Sequence, residues 1–163
     1  MEYKEAKVPI WWDMKSCPLP AEFDISEIKN NIELSLRRLN YTGTISISAY
    51  GNFDKITQEV VDELQFYGIE MIDIPSDGKD SVEKRMLVDV IDMGFDEANV
   101  TPNRMLISAD EEFSDLLQQL KMRNYNILLA HPSTRPLQLS SSLVCAANTI
   151  WTFKSLLKGE VPL

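Results

Sequence analysis

Met105-Leu106-Ile107-Ser108-Ala109-Asp110-Glu111-Glu112-Phe113-Ser114-Asp115-Leu116-Leu117 carries a short apolar run into three successive acids, then resumes apolar residues at helical spacing at Phe113, Leu116, Leu117 and Leu120. The first run is of strand length, so the acids stand at a strand-to-helix corner. In an open α/β sheet that corner lies at the carboxyl end of a strand, where ligands bind. Acids at a helix start also complement the macrodipole and cap orphan N–H groups, effects of roughly 0.3–1 kcal/mol each. Taken alone, the stretch supports both a ligand-binding and a capping reading.

Working outward, Val8-Pro9-Ile10-Trp11-Trp12 is a continuous apolar run, the pattern of a strand buried on both faces, and it ends in Asp13. Asp24, with Glu27 three residues on, starts a helix whose apolar positions are Ile25, Ile28, Ile32, Leu36 and Leu39, and whose end carries Arg37 and Arg38. Thr44–Tyr50 alternates like a strand and breaks at Gly51-Asn52. A helix from about Thr57 to Tyr67 closes at Gly68, and Ile69–Ile74 is the third strand. Its exit loop, Pro75–Asp80, leads into a helix capped by Asp80 or Ser81 and running to Met93. Met105–Ala109 is the fourth strand, Glu112–Arg123 the next helix and Tyr125–Ala130 the fifth strand. The tail, apolar at Leu143, Val144, Ala147, Ile150, Trp151 and Leu156, is expected to be helical and packed on the sheet.

Strands alternating with helices mean βαβ units, hence an α/β fold with a mainly parallel five-stranded sheet. All strand carboxyl ends then share one edge. Asp13, the stretch from Asp77 to Glu83, and the pair Asp110 and Glu112 gather there. With the doubly wound order 3-2-1-4-5, taken from the fold class, the first and fourth strands are neighbours and Asp13 comes close to Asp110.

The chain's 163 residues, 44% of them hydrophobic, suit one domain over 1–163. Cys17 and Cys145 lack metal-type spacing and read as buried thiols of a reducing, intracellular setting, cytoplasmic ahead of nuclear or organellar. No apolar run approaches the ~20 residues of a spanning helix. The net charge of −9 argues against gripping nucleic acid by bulk electrostatics, although one acid cluster offset by a cation would leave room for a local site.

Carboxylates crowded without Lys or Arg among them repel, so some are protonated or a cation is present. A hard divalent ion, Mg²⁺ or Mn²⁺, suits oxygen ligands, and a pair of them roughly 3.5–4 Å apart can drive phosphodiester hydrolysis without a nucleophilic side chain. The single histidine, His131, is too little for a zinc site and suggests no triad. There is no GxGxxG, no P-loop, and no second aspartate after Asp13 of the kind a phosphoaspartyl enzyme wants.

Four motifs in order carry a resemblance: Ile10-Trp-Trp-Asp-Met-Lys-Ser-Cys-Pro-Leu-Pro20, Asp77-Gly-Lys-Asp-Ser-Val-Glu-Lys-Arg-Met-Leu-Val-Asp89, Leu106-Ile-Ser-Ala-Asp-Glu-Glu-Phe113 and Asn124-Tyr-Asn-Ile-Leu-Leu-Ala130. Together they resemble the NYN domain, and most closely its plant and limkain-type branch, which includes the meiosis regulator and mRNA stability factor. The similarity spans about Val8 to Leu157. It implies a PIN-like, Rossmann-like three-layer α/β/α sandwich, and a metal-dependent ribonuclease acting on single-stranded RNA through Mg²⁺ or Mn²⁺. By that resemblance Asp13, Glu83, Asp110 and Glu112 are the catalytic and metal-binding acids. Asp89 is a further candidate, but it lies six residues beyond Glu83, about 9 Å along the helix and about 120° around it.

The chain departs from the family pattern at Ser16 for asparagine, Ala109 for glycine, and Glu83 and Glu112 for aspartates. Misplacing a ligand by an ångström can cost ~10²-fold in rate. The rival reading is therefore a weakened or inactive NYN domain that binds RNA, dimerises or associates with other RNA-binding domains. Candidate RNA contacts are Lys15, Ser16, Lys79, Lys84 and Arg85, with Arg135 beside them; a solvated surface is the plain alternative for each cation. Trp11 and Trp12 read as core with at most an edge for base stacking. If Asp13 belongs to a repelling ligand cluster, Asp13→Asn should raise the melting temperature of the metal-free protein.

Overall fold

Side chains on successive strand residues point to opposite faces, and Ile10-Trp11-Trp12 shows what that does to this chain: Ile10 and Trp12 enter one apolar cluster, Trp11 the other. Both faces of the sheet are therefore covered. The structure is a computed structural model and describes residues 2–75, 81–93 and 101–163. Along the chain run α1 (Glu2–Glu5), β1 (Val8–Asp13), α2 (Ile25–Arg37), β2 (Ile45–Gly51), α3 (Gln58–Phe66), β3 (Ile69–Asp73), α4 (Val82–Met93), β4 (Asn103–Ile107), α5 (Ser114–Met122), β5 (Asn126–His131), α6 (Ser142–Cys145), β6 (Thr149–Thr152) and α7 (Phe153–Leu157).

The sheet is parallel, in the order β3-β2-β1-β4-β5-β6. Against its first face pack Ile28, Ile32 and Leu36 of α2, Leu64 of α3, and Phe153, Leu156 and Leu157 of α7. Against the second pack Val82, Met86 and Val90 of α4, Leu117 of α5, and Leu143 and Val144 of α6. This is the expected α/β/α sandwich with one correction: six strands, not five. The tail is not a continuous helix, because Ile150 and Trp151 pair with Leu129 and Ala130 as a short edge strand between two single helical turns.

Local sequence explains the element ends. Asp24 accepts from the Ser26 N–H to cap α2, Thr57 caps α3, and Gly68 ends α3 with φ +89°, a conformation that disfavours any Cβ. Ser81 accepts from the Lys84 N–H at the start of α4, while Asp77, Lys79 and Asp80 lie outside the described residues. Among the described residues no helix is long and apolar enough to cross a membrane.

Candidate metal centre at the carboxyl edge of the sheet

β1 and β4 are adjacent, with Trp12 opposite Ile107, so the chain leaves the sheet side by side at Asp13 and Ser108. Asp13 is fully buried and accepts four hydrogen bonds. Its Oδ1 takes the backbone N–H groups of Lys15 (3.0 Å) and Ser16 (3.3 Å). Its Oδ2 takes the hydroxyls of Ser16 and Ser108, both at 2.8 Å. A carboxylate has about four lone-pair sites, so this one is filled. The two serines pass the order on: Ser16 Oγ accepts from the Ala109 N–H and Ser108 Oγ from the Asp110 N–H, both at 3.0 Å. Asp13 thus suspends the backbone of the 108–110 corner, from which Asp110 projects. Ser108 escaped the sequence reading; its one signal was a hydroxyl between an apolar strand and an acid.

Above this network three carboxylates converge. Glu83, Asp110 and Glu112 each offer an oxygen, and these lie within 4.8 Å of one another. Glu83 comes from the first turn of α4 and is buried. Asp110 caps the 3₁₀ turn Glu111–Phe113 by accepting from the Glu112 N–H at 2.9 Å, and Glu112 is exposed. The middle acid of the run turns away: Glu111 accepts from Ser141 Oγ at 2.6 Å and the Leu143 N–H at 3.3 Å, tying the corner to α6. Capping and convergence, open alternatives in the sequence, coexist at Asp110.

Burial, followed by the neighbouring Glu83 and Glu112, pushes the Asp110 carboxyl above its ordinary range against the opposing Glu112 N–H. Burial acts on Glu83 in the same direction, but its own N–H, a hydrogen bond shared with Asp110, and Lys15 outweigh it and hold Glu83 low. Lys15 Nζ stands 3.1 Å from Glu83 Oε1 and supplies part of the positive charge the trio attracts. The donor set fits a hard divalent cation, being all oxygen, with two members ordered by caps or burial. Two oxygens across one Mg²⁺ are at most about 4.2 Å apart, so a small side-chain rotation would close the trio around an ion.

The other sequence candidates fall elsewhere. Asp89 accepts from Tyr50 Oη at 2.6 Å and faces Arg85 Nε at 3.5 Å, apart from the trio. Arg85 is accordingly engaged along its own helix, whereas Lys84 and Arg135 are exposed. Lys79 lies outside the described residues. His131 is buried, its Nδ1 accepts from the Ser133 N–H, and burial lowers its pKa. Trp11 and Trp12 are core, with Trp12 Nε1 donating to the Cys17 carbonyl. Cys17 is a buried free thiol as expected, but Cys145 is exposed.

The profile of the NYN domain family matches residues 7–152, a span that contains the whole trio and the network beneath it. No curated protein matches the chain. Among solved structures, a protein of unknown function from Vibrio parahaemolyticus superposes with a TM-score of 0.67 at 18% identity, covering 100% of this chain and 99% of that one. At that identity the likeness speaks for the fold.

Proposed function

We propose, on the premise that the chain belongs to the NYN domain family, that it is a metal-dependent endoribonuclease of single-stranded RNA. The supporting observation is the convergence of Glu83, Asp110 and Glu112 from two separate elements onto one rim. These three would hold Mg²⁺ or Mn²⁺. A bound ion of this kind activates water and stabilises the leaving oxygen of a phosphodiester. The chain's own part is positional. Asp13, Ser16 and Ser108 fix the backbone from which Asp110 projects, so the corner needs little reorganisation when a cation arrives. Lys15, already at the trio through Glu83, and Lys84 on the first turn of α4 would meet phosphate oxygens. We assign the chain to the plant and limkain-type branch on its four ordered motifs, and treat it as one domain with a core over 8–157.

A second reading has its own support. Asp13 has no lone pair to spare, Lys15 occupies a Glu83 oxygen, and two of the three converging acids are glutamates. A domain so built could bind RNA or a second copy without cleaving. Incubating the protein with labelled single-stranded RNA and Mn²⁺, with and without chelator, separates the two. The enzyme reading expects cleavage that both chelator and Asp110→Asn abolish; intact RNA under every divalent metal would leave the binding module.

A further inference from the structure

Beside the trio, on the β1–β2 side, lies a groove of about 480 Å³, within the 300–1,000 Å³ typical of ligand sites. Its walls are apolar, from Met14, Pro18, Phe53, Ile56 and Val82. Among the described residues, the charged ones lining it are Lys15 and Lys55, both basic in a chain of net charge −9. An aromatic surface with flanking cations is the chemistry that holds a single-stranded nucleotide, base on ring and phosphate on ammonium. We infer that this groove is a nucleotide subsite for the RNA residue next to the scissile phosphate, with Phe53 stacking the base and Lys55 meeting a phosphate. The inference rests on the proposed ribonuclease reading and adds the side from which the strand approaches.

Phe53 and Lys55 stand on one 3₁₀ turn, Phe53–Lys55, pinned by the Phe53 N–H donating to Asp73 Oδ1 and the Asp54 N–H to Asn52 Oδ1, both at 3.0 Å. Phe53 packs partly on the core and presents the rest of its side chain to the groove. Gly51 keeps the floor open: a Cβ there would meet Met14 Cβ and Phe53 Cε1, each at 3.3 Å, although its φ is not positive and the backbone alone would accept alanine. The groove is also continuous with the trio, because Val82 precedes Glu83 and Lys15 reaches from the groove to Glu83. A second hollow of about 340 Å³ shares Met14, Pro18, Lys55 and Ile56 and extends it towards Val60, a path for the strand to continue.

The test measures affinity for a fluorescein-labelled oligouridylate by anisotropy across a salt series, with Ca²⁺ in place of Mn²⁺ to suppress cleavage. Phe53→Leu should weaken binding about tenfold, as loss of one stacked base does. Lys55→Glu should flatten the dependence of log affinity on log salt by about 0.7, which a merely structural residue would not do. Gly51→Ala should weaken binding in the same direction, and Lys121→Glu on α5 should change neither quantity. If Phe53→Leu fails to melt like the parent protein, the exposed Lys55 decides alone. Binding by the parent protein that Lys55→Glu leaves unchanged in affinity and salt dependence would overturn the subsite and spare the ribonuclease reading. A parent protein that binds no RNA would overturn both.

Discussion

Replacing Asp13 by asparagine keeps the shape but removes the charge that strengthens four hydrogen bonds, and leaves an amide NH₂ facing groups that now donate to it. The expected cost is about 2–3 kcal/mol, read as a lower melting temperature. That reverses the expectation drawn from a repelling cluster. Asp110→Asn should behave oppositely: asparagine caps as well as aspartate, while the charge removed is one that burial and Glu83 oppose, so the metal-free protein should melt higher. Asp13 was legible as a strand-end acid. Its role was not, because the Ser108 hydroxyl that defines it arrives from across the sheet. Cys17 gives a pH test. Burial, only partly offset by Ser16, pushes its thiol from 9.0 up to about 12. A raised folded-state pKa means the stabilisation is complete below pH 9.0 and lost as pH rises towards about 12, by up to about 4 kcal/mol. Chemical denaturation at pH 8 and pH 11 should therefore show a smaller loss for Cys17→Ala than for the parent protein.

Among the elements, β1 to β5 were readable because each is a run of strand length followed by a helical pattern and a cap. β6 was not. It has four residues, and its apolar pair Ile150-Trp151 stands three and four residues after Ala147, offsets that also suit a helix, so periodicity could not separate the two. Pairing with β5 decides it. The strand is no ornament: Trp151 is fully buried against the α2 and α7 side, and its Nε1 donates to the Glu160 carbonyl at 3.1 Å. Trp151→Ala should cost about 3–5 kcal/mol in denaturant unfolding. On α4, Glu83 converges with Asp110 and Glu112, whereas Asp89, six residues on, accepts from Tyr50 Oη. Helical spacing also bears on Arg85, whose i,i+4 pairing with Asp89 competes with any phosphate.

At the scale of the whole molecule, a net charge of −9 disfavours long-range attraction of a polyanion, so RNA affinity should be modest and require divalent metal to cancel the rim. With Lys15, Lys55 and Lys84 as phosphate contacts, the salt slope on a single strand should be about −2. Glu83, Asp110 and Glu112, without Asp89, are expected to form one divalent-cation site. Calorimetric titration of Mn²⁺ into the metal-free protein tests it most directly. The expected result is a saturable site that raises the melting temperature, is lost in Asp110→Asn and weakened in Glu83→Gln, and persists in Asp89→Asn. Mn²⁺ binding that survives Asp110→Asn, or disappears with Asp89→Asn, would place the cation elsewhere than on these three acids.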